Sequence, residues 1–190
     1  MIRPAAPHDA PFVAPLIIQA MGDLAAKFAN SNNPQVILGL FIYFFQQENN
    51  QYSYQNTLVF EENDQILGSL NAYDGAKLFE LRENFLNYLK ENNGLNNFHP
   101  EPETQEGEFY FDTISVHPDA QGKGIGKALI IAGIDWAKAL GHQKIGLIVE
   151  KENPRAKDLY EKMGFITQNS MALLGGDYFH LTYSFEVQPT

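Results

Sequence analysis

Cysteine is absent from this chain of 190 residues. Its absence excludes disulfide bonds, thiolate metal sites and a cysteine nucleophile in one step. Because disulfides are rare in reducing compartments, a chain without cysteine is consistent with a cytoplasmic protein, and that location is our expectation.

Long hydrophobic runs are absent as well. No stretch of about eighteen apolar residues occurs, so no membrane-spanning helix and no membrane partner are predicted. The chain opens with Ile2-Arg3-Pro4 instead of a charged and then apolar signal segment, so we expect no export. Apolar residues make up 44% of the chain and charged residues 19%, which is typical of a folded globular domain.

Basic residues are scarce relative to acidic ones. The chain has 13 lysines and arginines against 23 aspartates and glutamates, giving a formal charge of −10. Such a surface repels phosphates, so no nucleic-acid partner is expected. It attracts cationic molecules, amines among them, although the same acidity can serve solubility alone.

Histidine is also infrequent, with five residues in the chain. No two of them have the spacing of metal ligands, and no metal site is predicted. His180, on a predicted strand near the end of the chain, is interpreted as a structural histidine or, alternatively, as part of an acceptor pocket.

What is present is a regular alternation of helical and extended patterns, without internal repeats or linkers. The pattern predicts one domain over residues 1–190 of the α/β (α+β) class, with a mixed sheet. Asp9 is the predicted N-cap of the first helix. Helices are predicted at 8–29, 34–47, 77–92, 124–140 and 153–163, and strands near Arg3 and at 57–61, 65–73, 109–116, 144–149, 165–173 and 178–187.

A glycine-rich turn follows the predicted strand 109–116. Gly122, Gly124 and Gly126 occupy alternate positions at the start of a helix, where backbone N–H groups and the helix dipole form an anion site. Lys123 and Lys127 add positive charge, so a diphosphate is the expected ligand. The spacing fits neither the nucleotide P-loop nor the dinucleotide fingerprint.

The spacing does match Q-x-x-G-x-G from Gln121 to Gly126. A second motif follows downstream, with N-x-x-A starting at Asn153 and L-Y-x-x-x-G-F running from Leu159 to Phe165. The two motifs, in this order with a strand between them, resemble the GNAT family of N-acetyltransferases. The resemblance implies a mostly antiparallel sheet of about six to seven strands flanked by helices, with a V-shaped splay between two central parallel strands.

The resemblance also implies acetyl-CoA as the cofactor and assigns residues to it. The pantetheine arm is expected to pair with the backbone of Ile114, Ser115 and Val116. Asn153 is expected to hydrogen-bond the same arm, to act as a helix N-cap, or to do both. The pyrophosphate is expected on the amides of Gln121, Gly122, Lys123, Gly124, Ile125, Gly126 and Lys127.

Two catalytic residues are implied by their positions. Tyr160 lies two helical turns beyond Asn153 on the same face, where family members use a phenol as the general acid for the leaving thiolate. Asp112 is the candidate general base, expected on the same strand face as Ile114, although it could instead bind the cationic substrate. Glu108 and Glu150 are reserve candidates for the base.

Residues 74–107 form an insertion relative to the family, between the third and the central strand. The pattern predicts a helix followed by an acidic loop that carries Glu101, Glu103 and Glu106, with Glu108 just beyond. These carboxylates could steer a cationic acceptor or be merely solvated. The insertion might also serve as a homodimer contact.

The resemblance therefore implies transfer of an acetyl group from acetyl-CoA to a primary amine, by direct attack with both substrates bound. The first hypothesis for the acceptor is a small cationic amine. The second is a protein or peptide amine, at an N-terminus or a lysine. A hypothesis of another class is a non-catalytic acyl-CoA-binding module.

Overall fold

A computed structural model describes residues 1–185, which fold into a seven-stranded sheet flanked by six α-helices. The helices are α1 Ala10–Met21, α2 Asp23–Ala29, α3 Pro34–Gln46, α4 Leu78–Asn93, α5 Ile125–Ala139 and α6 Pro154–Lys162. The strands are β1 Ile2–Pro4, β2 Thr57–Glu62, β3 Gln65–Asp74, β4 Phe109–Val116, β5 Lys144–Glu150, β6 Ile166–Leu173 and β7 Gly176–Ser184. Residues 186 and 187 of the predicted last strand lie outside the described residues.

The strand order is β1-β2-β3-β4-β5-β7-β6, and every neighbouring pair is antiparallel except β4 and β5. The parallel pair is joined by α5, since parallel strands need a crossover connection. This architecture confirms the predicted fold class, a mixed and mostly antiparallel sheet with helices on its faces.

The two parallel strands separate after a short paired stretch. Their register pairs Phe109 with Ile145 and extends only to Phe111 and Leu147. Beyond that point β4 stays paired with β3 as far as Val116, while β5 stays paired with β7 as far as Glu150. The predicted V-shaped splay is therefore present, and it opens at Asp112.

Asp112 is the extra residue of a β-bulge. Asn71 pairs with Thr113 and Ala72 with Phe111, which leaves Asp112 without a partner on β3. A bulge changes the alternation of side chains along the strand. Asp112 therefore shares a face with Tyr73, to which it is hydrogen-bonded, while Ile114 packs against the opposite core. The expectation that Asp112 and Ile114 share one face is wrong, because it assumed a regular strand.

Apolar cores fill both sides of the sheet. One core contains Phe41 of α3 and Phe85 of α4, together with buried residues of α1 and α2. The other contains Leu129 of α5, Phe111 of β4 and Leu147 of β5. The splay between β4 and β5 therefore opens in a sheet that has an apolar core on each side.

The predicted first helix is two helices. Gly22, with φ of +55°, separates α1 from α2, and the chain bends there by 110°. Asp9 does not cap the helix with its side chain; it forms a salt bridge to Arg3 at 2.7 Å and accepts a hydrogen bond from the Ala6 amide. Within residues 1–185 no single helix is long and apolar enough to cross a membrane, and only the bent pair of α1 and α2 combined has that length and composition.

The insertion packs onto the first core through α4, whose Phe85 and Leu89 are buried. The helix ends at Gly94, with φ of +71°, as expected for a helix C-terminus. The following loop returns to β4, and the Gly75 amide donates to the Glu108 carbonyl at 2.7 Å, so both ends of the insertion are held together.

Gly133 allows α5 to approach the sheet closely, and a substitution at this position tests that close approach. A Cβ at Gly133 would lie 2.6 Å from the Phe111 ring and 2.9 Å from Leu70. We therefore expect Gly133→Ala to lower the free energy of unfolding by about 1–3 kcal/mol, the usual cost of overpacking. Urea denaturation would measure it.

Gly39→Ala is the matched control. Gly39 also lies within a helix, but a Cβ there has nothing within 4 Å. Alanine should stabilise this position by about 0.5–1 kcal/mol, because its helix propensity is higher. Equal effects of the two substitutions would contradict the close approach of α5.

Candidate active site

The gap between β4 and β5 opens into a cavity of about 730 Å³. It is lined by the glycine-rich turn and the ends of both strands, and also by α1, α2, α6 and the insertion. Predicted site residues in the wall are Asp112, Ile114, Ser115, Val116, Gln121, Gly122, Gly124, Ile125, Gly126, Lys127, Asn153 and Tyr160. Lys123 is exposed and lies outside the wall.

The glycine-rich turn has the conformation that only glycine adopts readily. Gly122 has φ of +78° and Gly124 has φ of +83°, and a Cβ at either position would point into open space. Gly124 is the N-cap of α5, so the amides of the first turn, from Ile125 to Lys127, have no acceptor within the helix. These amides and the helix dipole form an anion site at one end of the cavity.

The register of β4 decides which backbone groups face the gap. The His117 amide donates to the Leu67 carbonyl at 2.8 Å, and Ser115 pairs with Ser69, so Ser115 directs its own backbone groups towards β3. Since alternate residues of an antiparallel strand point in opposite directions, Ile114 and Val116 direct theirs into the gap. The predicted backbone role is thereby restricted to Ile114 and Val116.

Two glutamine side chains form hydrogen bonds with the end of β4. This end lies beside the glycine-rich turn from Gln121 to Lys127, which we call the cradle. Gln19 Nε2 donates to Ser115 Oγ at 2.7 Å and to the Val116 carbonyl at 3.0 Å. Gln121 Nε2 donates to the same carbonyl at 3.3 Å. Sequence reasoning missed Gln19, because α1 packs on a strand whose contacted residue is 97 positions away, and no local pattern reports such a contact.

Asn153 is the N-cap of α6. Its Oδ1 accepts a hydrogen bond from the Ala156 amide at 3.1 Å, and the residue also lines the cavity. Capping uses the side-chain oxygen and does not use the Nδ2 donor. The capping interpretation of Asn153 is thus observed, and it does not compete with a cofactor contact.

Tyr160 lies on α6 with its ring beside Phe165, at 5.9 Å between centroids. Burial raises the pKa of its hydroxyl to about 12, so the phenol stays protonated at neutral pH. In the described part of the chain the hydroxyl makes no hydrogen bond. A protonated phenol in the cavity wall is therefore available as a proton donor.

Asp112 also lies in the cavity wall, in a network of side chains. Its Oδ2 accepts from the Tyr73 hydroxyl at 2.8 Å and from Gln51 Nε2 at 3.5 Å. Burial and the nearby Glu103 carboxylate raise the pKa of Asp112 to about 7, against the lowering effect of Tyr73, Arg82 and Gln51. A carboxylate with this pKa can accept a proton near neutral pH.

The reserve candidates occupy other places. Glu108 is fully buried and pairs with His180 at 3.1 Å and Lys144 at 3.3 Å, outside the cavity wall. Burial raises the pKa of Glu108, but hydrogen bonds from His180 and Gln105 outweigh it and leave the pKa below its ordinary value. His180 is thus a structural histidine, whereas Glu150 is exposed at the rim of the cavity.

The acidic loop is not a uniformly solvated segment. Glu103 is buried and forms an ion pair with Arg82 of α4, which is also buried. Glu101 accepts a hydrogen bond from the Leu174 amide at 3.0 Å, while Glu106 is exposed. Among residues 1–185, no three acidic or histidine side chains are grouped in a way that could hold a metal ion.

Comparison with solved structures agrees with this architecture. A crystal structure described as an acetyltransferase is 29% identical, with a TM-score of 0.82, and the match covers 98% of this chain and 100% of the other. An N-acetyltransferase from Staphylococcus aureus Mu50 shares the fold at 23% identity and a TM-score of 0.83, covering 96% of this chain and 100% of the other.

Curated relatives match over a shorter stretch. A mycothiol acetyltransferase from Beutenbergia cavernae is 44% identical over 64 residues, which cover 34% of this chain and 21% of that protein. The chain thus spans about a fifth of the length of the curated relatives it matches. The model of the acetyltransferase (GNAT) family matches residues 28–165. The resemblance seen in the two sequence motifs is confirmed, and the chain belongs to the acetyltransferase (GNAT) family.

Proposed function

We propose that this protein is an N-acetyltransferase that transfers the acetyl group of acetyl-CoA to the primary amine of a small cationic acceptor, by direct attack with both substrates bound. The observation that carries the proposal is the splay after Phe111. It brings the glycine-rich cradle, a carboxylate with a pKa of about 7 and a protonated phenol into one cavity.

The cavity suits acetyl-CoA in its charge and its hydrogen-bonding groups. The amides from Gly122 to Lys127 would hold the pyrophosphate at the open N-terminus of α5. The backbone groups of Ile114 and Val116 would pair with the amide groups of the pantetheine arm, in the manner of an added strand. Thr113 Oγ1, which lies buried in the wall, has no hydrogen-bond partner among the described residues and offers a further contact.

Each catalytic side chain then has a defined task. Acetyl-CoA supplies an acetyl thioester, whose carbonyl carbon is the electrophile. Asp112 accepts a proton from the ammonium group of the acceptor, directly or through water, because an amine attacks only with its lone pair free. Tyr160 donates its phenolic proton to the departing thiolate sulfur, since its pKa keeps it protonated at neutral pH.

A small acceptor is supported by contacts that join three segments of the chain beside the cavity. Lys27 Nζ of α2 donates to the Leu174 carbonyl at 2.8 Å, and Glu101 of the insertion accepts from the Leu174 amide. Leu174 therefore ties α2 and the insertion to the β6–β7 turn beside the cavity. The mycothiol acetyltransferases among the relatives carry a small molecule in their name, which also favours this class.

The direct experiment is a thiol-release assay with acetyl-CoA and a panel of polyamines, amino sugars, amino acid derivatives and basic peptides. We expect release with at least one of the small amines. Release with peptides alone would overturn the small-molecule assignment. Binding of CoA without release for any amine would favour a non-catalytic module.

Tyr160→Phe removes the proposed acid and keeps the ring. We expect kcat to fall by roughly 10²-fold, the scale of general acid catalysis, while the Kd for CoA stays the same. Tyr183→Phe is the matched control, because Tyr183 packs on the same Phe165 ring, at 5.5 Å, but lies outside the cavity. If Tyr160→Phe turns over like the control, Tyr160 has no role as an acid.

Asp112→Asn removes the proposed base. In the unmodified enzyme kcat/KM should fall as the pH decreases through about 7, because the carboxylate becomes protonated and can no longer accept a proton. In Asp112→Asn, kcat/KM should be lower by roughly 10²-fold or more. Its pH profile should also lack the fall below about pH 7, which we call the acidic limb. Asp135→Asn, on the exposed side of α5, should leave the pH profile intact; a profile unchanged in Asp112→Asn would rule out the base role.

Gly124→Val tests the cradle. Valine is strained at φ of +83°, and its side chain would project where the cradle must admit a pyrophosphate. Gly141→Val provides the control, since Gly141 has φ of +84° and open space around it at the other end of α5. We expect both variants to lose similar stability, but only Gly124→Val to lose CoA binding by isothermal titration calorimetry. Normal CoA affinity in Gly124→Val would refute the cradle.

A further inference from the structure

The insertion delivers two buried charges to the cavity wall. Arg82 of α4 is 5% exposed and Glu103 of the following loop is 7% exposed, and both line the cavity near Asp112. Buried charges are costly unless they are paired, and these two form an ion pair through Arg82 Nη2. The pair of Arg82 and Glu103 therefore belongs to the surroundings of the site and is not a solvent-exposed ion pair of the loop.

The pair is held in a fixed orientation. Arg82 Nη1 donates to the carbonyls of Pro100 and Glu101, each at 3.3 Å, and its Nε donates to Gln51 Oε1 at 3.4 Å. Arg82 thus fastens the loop to α4 and fixes the carboxylate of Glu103 at the same time. Its five donors are largely committed to these partners, so it is not a free site for an anionic ligand.

Gln51 connects this pair to Asp112. Gln51 Nε2 lies 3.3 Å from Glu103 Oε1 and 3.5 Å from Asp112 Oδ2, and it also donates to the Tyr73 hydroxyl at 3.0 Å. Tyr73 in turn donates to Asp112. One amide group therefore bridges two carboxylates, and this network of hydrogen bonds links the position of Glu103 to the candidate base.

The charges around Asp112 act in opposite directions. Glu103, with the same sign, disfavours the ionised form of Asp112, while Arg82 favours it. The Tyr73 and Gln51 donors also favour the ionised form. The other titratable groups around Asp112 are Tyr52, which precedes β2, Tyr110 of β4, and, across the cavity, Glu150 of β5 with Tyr160 of α6.

We propose that the insertion of residues 74–107 completes the catalytic site: Glu103, fixed by Arg82 and joined to Asp112 through Gln51, is a positioning residue that sets the pH range in which Asp112 accepts a proton. This inference rests on the proposed role of Asp112 as the base. It gives the insertion a function that a solvated acidic loop or a dimer contact would not have.

The test titrates Asp112 directly in the protein without ligands, by ¹³C NMR of aspartate carboxyl groups. The Asp112 resonance is identified as the one missing in Asp112→Asn. Glu103→Gln keeps the shape of Glu103 and an oxygen that can accept from Arg82, but it removes the charge and the second acceptor oxygen, which leaves Arg82 uncompensated. We expect the pKa of Asp112 to fall by about one unit or more.

Glu106→Gln is the matched control, with the same charge change at an exposed position of the same loop. It should leave the titration of Asp112 unchanged, because exposed charges are screened. An unchanged titration in Glu103→Gln as well would overturn the proposal. A purely structural role would lower stability but would not move this titration.

If Glu103→Gln does not fold, the double variant Arg82→Gln and Glu103→Gln removes both charges and leaves none buried without a partner. Because Glu103 influences Asp112 more strongly than Arg82 does, the pKa of Asp112 should still lie below the unmodified value. A value equal to it or higher would contradict the proposal.

The acidic limb of kcat/KM separates this inference from the function on which it depends. Once the amine panel has identified an acceptor, the pH dependence of kcat/KM can be measured. In Glu103→Gln its acidic limb should move to lower pH by the same amount as the Asp112 pKa measured by NMR. A shifted NMR titration with full activity in Asp112→Asn would instead reject Asp112 as the base, and with it the catalytic part of the inference.

Discussion

The separation of β4 from β5 after Phe111 is the constraint on which the rest of the site depends. Two neighbouring strands that stop pairing leave backbone donors and acceptors unsatisfied, and buried groups of this kind need other partners. Ile114 and Val116 have backbone groups that no strand pairs with. One of these groups, the Val116 carbonyl, accepts hydrogen bonds from the side chains of Gln19 and Gln121. The same opening gives the cradle of α5, Tyr160 and Asp112 access to one cavity. The splay therefore places three separate parts of the chain, the glycine-rich turn, α6 and the bulge of β4, around one cavity.

Burial raises the pKa of both candidate catalytic groups. A phenol is already protonated at neutral pH, and burial raises the pKa of Tyr160 further, to about 12. Asp112 is the bulged residue of β4, and the bulge turns it towards Tyr73 and the insertion. A regular strand would have placed it against the core of α5. One irregularity in pairing thus sets both the direction and the acidity of the candidate base.

Sequence patterns predicted the features that are encoded locally. The glycines at 122 and 124, the Asn153 cap and the order of strands and helices each follow from short-range signals, and the GNAT motifs added the splay. Contacts between distant segments were not predictable: the bulge at Asp112 depends on the register with β3, and Gln19 reaches β4 only through the packing of α1 on the sheet. The ion pair of Arg82 and Glu103 was missed for the same reason, since an acidic loop looks solvated until its partner on α4 is seen.

The proposal that the β4–β5 gap is the acetyl-CoA site can be examined in a crystal structure with coenzyme A bound. We expect the pyrophosphate at the amides from Gly122 to Lys127 and the pantetheine arm between β4 and β5, hydrogen-bonded to Ile114 and Val116. Its sulfur should lie between Asp112 and Tyr160. Coenzyme A bound elsewhere, or strands β4 and β5 paired along their full length in the complex, would contradict it.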